Sequence, residues 1–173
     1  MMEIYNEDVF DLSEELEKNK QRTKLKIAEN KAINLRSLSV SNQEEVASFL
    51  EKGYRNRSIA ATKMNAHSSR AHTIVTIYVK QIQSNAKATL SSQISIVDLA
   101  GSERVGKSKA TGKRLKEGAK INTSLLHLGN VIRTLAKKPG HQNEKPIYRD
   151  SKLTLLLKDS LGGNSKTVMA STK

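Results

Sequence analysis

Apolar and polar positions divide the chain into short alternating runs at the start, two long alternating runs in the middle, and a helical stripe beyond them. Glu3 to Leu12 is apolar at Ile4, Tyr5, Val9, Phe10 and Leu12, which predicts a strand running into a short turn or helix. Residues 13–24, SEELEKNKQRTK, have almost no apolar anchor and predict a solvated loop. Alternation returns over 24–28 (Leu25, Ile27) and 33–40 (Ile33, Leu35), as in a small surface β-lobe. From Ser41 to Lys52 the pattern is helical, with Ser41 and Glu44 spaced as a capping box and Gly53 placed just past the end. Residues 54–64 fit the end of a helix. Thr73–Gln83 and Ala88–Leu99 are two long strand signals, read as an antiparallel hairpin joined through residues 84–87.

Residues 105–116 are basic and glycine-containing, which predicts a flexible stretch. From Leu115 a helix is expected, because Ile121, Leu125, Leu128, Ile132 and Leu135 recur at spacings of four and three along one core-facing stripe. Asn122 lies about 100° around from that stripe, near the first turns of the helix. Residues 136–147, AKKPGHQNEKPI, read as a loop, LGGN at 161–164 as a helix stop, and Thr167–Ala170 as a last sheet strand. Strands and helices interleaved in this way predict an α/β fold with a central sheet flanked by helices.

Length and composition narrow the picture. With 173 residues the chain suits one domain with a real core. It has no cysteine, no long apolar run and no signal-peptide pattern, which predicts a soluble intracellular protein without disulfides. The net charge of +13 is uneven: residues 1–100 hold 14 Lys/Arg against 12 Asp/Glu, and residues 101–173 hold 16 against 5. The second half should therefore meet an acidic partner. Nucleic acid is the default for such a balance, but aromatic residues are 3% of the chain and no basic patch is interleaved with them.

Two stretches carry candidate chemistry. In ISIVDLAGSER, Ile94 to Arg104, an apolar run reads as a buried strand that delivers Asp98 to its C-terminal tip, where open α/β sheets bind ligands. A carboxylate there can hold Mg²⁺ through water, and Gly101 lets a backbone N–H approach a phosphate. In NAHSSRAH, Asn65 to His72, adjacent hydroxyls beside an arginine suit a triphosphate site, with Ser as a Mg²⁺ and phosphate ligand. The predicted hairpin would bring both stretches to one edge of the sheet.

Together NxxSSRxH and DLAGSER resemble the switch I and switch II sequences of the kinesin motor domain. Myosins share the SSR and DxxGxE skeleton but not the Ser-Glu-Arg ending or the His after switch I. GAKINTSLLHLGNVI at 118–132 and YRDSKLTLLLKDSLGGNSKT at 148–167 are further kinesin-like matches. The likeness runs from EIYNEDVFDL almost to the last residue. It implies a partial P-loop-NTPase-like motor fold with a mixed central sheet and a small surface β-lobe over 1–173. Switch I would lie at 65–72, switch II at 98–104, and the microtubule-facing region at 115–160.

The resemblance also assigns roles. Asn65, Ser68, Ser69, Asp98 and Gly101 would bind nucleotide, with Ser69 and Asp98 serving Mg²⁺. Ser69, Arg70, Gly101, Glu103 and Asn122 would serve catalysis, Arg70 pairing with Glu103 behind the phosphate pocket. Lys137, Lys138, Lys145, Arg149 and Lys152 would face tubulin. ATP and Mg²⁺ are the implied cofactors, microtubules the implied partner, and the cytoplasmic cytoskeleton the implied location. Neither nucleic acid nor membrane is implied, and any dimerising coiled coil would lie outside these residues.

Three departures from the family pattern stand out. The proline of the usual Pro-Tyr-Arg-Asp moves back one place, giving Pro146, Ile147, Tyr148 and Arg149. Leu155 stands where Arg is common, and Ala71 replaces a third switch I serine, which predicts slower or weaker nucleotide handling.

The P-loop GxxxxGK[ST] is formally matched only by GSERVGKS at 101–108. That match overlaps switch II, and the predicted helix begins too late to follow it, so it is read as coincidental. Without a P-loop or neck linker the isolated chain is expected to lack ATPase activity. Two readings remain open: part of an ATP-driven microtubule motor, or a non-catalytic microtubule-binding module derived from one.

Overall fold

The computed structural model describes residues 1–14, 22–63, 70–82, 89–101, 113–137 and 145–170, with side chains except at 60–63 and 113–119. Residues 2–11 form a tight hairpin of β1 (Met2–Tyr5) and β2 (Asp8–Asp11), where a strand and then a turn or helix was expected. Asn6 and Glu7, at φ 55° and 65°, make the two-residue left-handed turn that matches strand twist, closing the register at Tyr5↔Asp8. The expected β-lobe is smaller than the alternation suggested. β3 (Lys24–Leu25) joins β2 in the main sheet, while β4 (Ile27–Ala28) and β5 (Lys31–Ala32) pair around a second left-handed turn at Glu29–Asn30. Residues 33–40 contain no strand; the Arg36 amide instead donates to buried Asp11.

Helix α1 (Gln43–Lys63) runs through Gly53 without stopping. Its cap is one residue later than expected: the Glu45 amide donates to Asn42 Oδ1 at 2.9 Å, and the Glu45 carboxylate accepts from the Ser41 amide. Gly53 is needed for another reason. It packs on Met1, whose Sδ would lie 2.2 Å from an added Cβ. One turn on, buried Asn56 donates to the carbonyls of Leu12 and Glu14 and ties α1 to the end of β2. Asn56→Ala should cost about 1–3 kcal/mol by leaving the Leu12 carbonyl buried and unpaired, read as a lower urea midpoint at constant m.

The long hairpin is present as expected. β6 (His72–Ile82) and β7 (Thr89–Asp98) pair antiparallel from Thr73↔Asp98 to Ile82↔Thr89, and β6 also pairs with β1. The sheet order is β3-β2-β1-β6-β7, and every ladder among the described residues is antiparallel. Alternation sends neighbouring side chains to opposite faces. Met2, Ile4, Val9 and Ile74 pack against Leu128, Leu153 and Leu157; Met1, Leu12 and Val75 pack against Phe49 and Leu50 of α1. β7 is not the buried strand that its apolar letters predicted. It stands last in the sheet order of the described strands, and there Ile94 and Ile96 are 52% and 56% exposed.

Helix α2 (Lys113–Leu135) begins two residues before the expected start, so 113–116 are helical. Asn122 consequently sits mid-helix rather than in the first turns. The buried stripe is Ile121, Ser124, Leu128 and Val131, with Leu125 and Ile132 flanking it and Leu135 outside. Two short helices, α3 (Lys152–Leu156) and α4 (Lys158–Gly162), follow. The YRDSK segment is a helix start: Ser151 Oγ accepts from the Thr154 amide, and Thr154 Oγ1 donates to the Tyr148 carbonyl. The Lys152 amide donates to Glu7 at the β1–β2 turn, fixing α3 to the sheet. LGGN does end a helix, and Gly162 leaves room for the Tyr148 hydroxyl. Residues 167–170 form no strand, and Val168 is 93% exposed. Strand-forming letters without a hydrogen-bonding neighbour do not make a strand.

Candidate functional site

The candidate site forms where β6 begins and β7 ends. Thr73 faces Asp98 across the ladder, so the residues leading into β6 and those leaving β7 emerge side by side. Asn65, Ser68, Ser69 and Glu103 lie outside the described residues, and with them the expected Arg70–Glu103 pair. Arg70 is half-buried, beside a narrow cleft with Asn6, Glu7, His72 and Lys120. Ala71, where the family favours serine, is fully buried.

Asp98 lies at the strand tip, as the sequence predicts. Its carboxylate is 60% exposed, and its Oδ2 accepts from Arg57 Nη1 at 2.8 Å. Arg57 projects from α1, and its other terminal nitrogen donates to the Ala71 carbonyl at 3.2 Å. One guanidinium thus joins the ends of both candidate segments. Sequence reasoning missed it, because a lone arginine in a helical run has no periodic or motif signal. Asp98 offers an oxygen ligand of the kind Mg²⁺ takes through water, but no group of three His, Cys, Asp or Glu side chains that could hold a metal ion occurs among the described residues.

Below the ion pair is a buried polar chain. The Ala100 amide donates to His72 Nδ1 at 3.0 Å, His72 Nε2 lies 2.9 Å from Ser124 Oγ, and Ser124 Oγ donates to the Ile121 carbonyl at 2.7 Å. Burial, the dominant cause, pushes the His72 pKa down to about 4; Asp98 opposes the shift and Arg57 adds to it. The ring is therefore neutral at physiological pH. Gly101, next along, is half-buried, as is Asn122 on α2.

The candidate microtubule residues are divided. Lys145 and Arg149 are exposed, Lys137 and Lys152 are half-buried, and Lys138 lies outside the described residues. Arg149 sits in the turn that caps α3, and α3 packs against α2. No helix among the described residues is long and apolar enough to cross a membrane.

Comparison with known proteins decides the family. The kinesin motor domain model matches residues 1–172. The chain belongs to the kinesin motor domain family. Kinesin-like protein KIF13A of Mus musculus is 45% identical over 182 aligned positions, covering 99% of this chain and 10% of that protein. Chromosome-associated kinesin KIF4 of Gallus gallus is 46% identical over 177 positions, covering 97% and 14%. Among solved structures, KIF14 with ADP in complex with a microtubule superposes with a TM-score of 0.78 at 39% identity. It covers 95% of this chain and 49% of that one. The Kar3-like motor domain from Ashbya gossypii gives 0.71 at 31% identity, covering 95% and 48%. This kinesin chain therefore spans about half of the solved motor structures and about a tenth of the curated relatives.

Proposed function

We propose that the chain is the nucleotide-sensing and microtubule-facing part of an ATP-driven microtubule motor, working at the cytoplasmic cytoskeleton. The observation that carries this reading is the junction of β6 and β7, where Thr73↔Asp98 and the Ala100–His72 bond bring the two switch-like segments together. In this reading Asn65, Ser68, Ser69, Asp98 and Gly101 line the nucleotide, and Ser69 and Asp98 hold Mg²⁺, directly and through water respectively. The ion, when bound, neutralises charge building on the transferred phosphoryl group. The Gly101 amide turns toward the γ-phosphate. Arg70, Glu103 and Asn122 orient water, with Arg70 and Glu103 closing the site behind it. Lys137, Lys138, Lys145, Arg149 and Lys152 meet acidic tubulin. The domain assignment over 1–173 and the microtubule-facing region at 115–160 belong to the same proposal.

A non-catalytic microtubule-binding module is the second reading, supported by one observation: the only P-loop pattern in these 173 residues, at 101–108, overlaps the switch II segment. Co-pelleting and calorimetry separate the two. The chain should pellet with microtubules at low salt and be released as salt rises, because exposed charges are screened beyond about 10 Å at 0.1 M. Arg149→Glu should weaken pelleting by roughly tenfold, about 1.4 kcal/mol, with folding unchanged. No pelleting at low salt would refute the microtubule reading. The isolated chain should bind ATP too weakly for micromolar calorimetry, and micromolar affinity would show that a P-loop is dispensable here.

A further inference from the structure

We propose that His72 is a positioning residue that ties the turn after Asp98 to helix α2 through a one-way hydrogen-bond chain. It would pass a movement at the phosphate site to the helix. The functional half of this inference rests on the nucleotide and microtubule reading above; the structural half does not.

The direction of the chain follows from which groups can donate. The Ala100 amide can only donate, so Nδ1 of His72 is the bare acceptor nitrogen. In the neutral ring the proton is then on Nε2, which faces Ser124 Oγ at 2.9 Å. Ser124 spends its own proton on the Ile121 carbonyl one turn back, so its oxygen is available to accept. Every hydrogen has one place, and all three bonds run the same way, an arrangement in which each bond polarises the next. His72 and Ser124 are each 3% exposed, so water has little access to either link.

A buried histidine that merely fills the core would not need this address. The β6–β7 ladder ends at Thr73↔Asp98, and Ala100 lies two residues beyond it. Its amide is held by the ring, and through the ring by α2, rather than by the ladder. Gly101, the candidate phosphate-sensing amide, is the next residue. Ser124 belongs to the buried stripe of α2, where sequence periodicity alone had marked only apolar residues. If the turn shifts toward a phosphate, the ring must follow or release Ser124, and either event is felt at the helix.

The test uses the full 173-residue chain, with Ser124→Ala, His72→Asn and Val131→Ala variants. The histidine ¹⁵N signals of His72 at neutral pH should report an unprotonated Nδ1 and a protonated Nε2; the opposite tautomer would overturn the proposal. Ser124→Ala, which does not touch Ala100, should speed Ala100 amide exchange at least about tenfold more than exchange of the β6 amides. Val131→Ala, an ordinary core truncation on the same helix, should raise both together. His72→Asn keeps an acceptor near Nδ1 but cannot reach Ser124. It should keep Ala100 protected while weakening microtubule pelleting several-fold. If Ser124→Ala leaves Ala100 exchange in its wild-type ratio to β6, the chain does not couple and the proposal fails. A wild-type chain that does not pellet refutes the microtubule reading instead, while tautomer and exchange still decide the role of the ring.

Discussion

Arg22→Met is expected to lower the unfolding free energy by about 3–5 kcal/mol, the largest single-residue effect anticipated here. Glu3 lies in the middle of β1 with no exposed surface, between Phe10 of β2 and Thr73 of β6. Arg22 reaches it from outside the strands, its Nη1 2.5 Å from Glu3 Oε2, and lays its guanidinium 4.4 Å over the Phe10 ring. Removing the arginine strands a carboxylate in the sheet and also loses the cation–π contact. Glu3→Leu combined with Arg22→Met should recover most of the loss, because two apolar groups carry no desolvation penalty. Arg22→Lys, which keeps the charge but loses the planar stacking, should fall between them. Urea midpoints at constant m distinguish these outcomes. A contrasting pair is already present in Arg55–Glu51, 69% and 74% exposed at their side chains, where Arg55→Ala should change stability by less than about 1 kcal/mol. If Arg22→Met behaves like that exposed pair, Glu3 is solvated and this account of the sheet is wrong.

The Glu3–Arg22 pair also marks where sequence reading stops. Arg22 belongs to a charge run that predicts a solvated loop, and nothing local distinguishes it from its neighbours. Its role comes from a buried glutamate nineteen positions away. Period-two alternation did reveal the β6–β7 hairpin, because both strands are long, at eleven and ten residues. The same letters could not say that β7 has a single partner strand among the described residues: Ile94 and Ile96 are as apolar as any core strand, and only a neighbouring strand decides exposure. Gly53 shows a related limit. A glycine after a helical run suggests a stop, yet this one is selected by the approach of Met1, a tertiary cause with no local signature. At the helix start the local chemistry supports two frames one residue apart, and Asn42 with Glu45 prevails over Ser41 with Glu44.

The site was legible in proportion to how far its residues act through motifs. Asp98 at a strand tip and the meeting of two segments at one edge followed from the hairpin. Arg57 did not, because it enters from a helix whose sequence gives no reason to aim it there. His72 was visible only as the last letter of a motif; its work depends on Ala100 and Ser124, which are 28 and 52 positions away. Ser124 was passed over because a helical stripe search counts apolar letters, and a serine that satisfies its own hydroxyl within the helix can be buried among them.

Acidification should expose that buried chain directly. His72 has its pKa lowered from 6.5 to about 4, chiefly by burial, so the folded state favours the neutral ring and the unfolded state does not. Above about pH 6.5 both states are neutral at this residue and the full stabilisation is present. Between about 6.5 and 4 the unfolded chain binds a proton that the folded chain refuses, so stability falls as pH falls, by up to about 1.4 kcal/mol per unit. The loss totals about 3 kcal/mol by pH 4, and below that the folded ring is protonated as well and the loss levels off. The geometry gives the physical reason. A second ring proton would be placed on Nδ1, donor against donor with the Ala100 amide, in a site that water barely reaches. Urea unfolding from pH 7 down to pH 5 isolates the effect, because ordinary carboxylates titrate at about 4 and contribute little above pH 5. Wild type should lose about 2 kcal/mol across that range, and His72→Gln, which cannot titrate, should lose much less. Equal slopes in the two proteins would mean that the ring is already solvated in the folded state, and the connection from the Asp98 turn to α2 would then have no buried link to carry it.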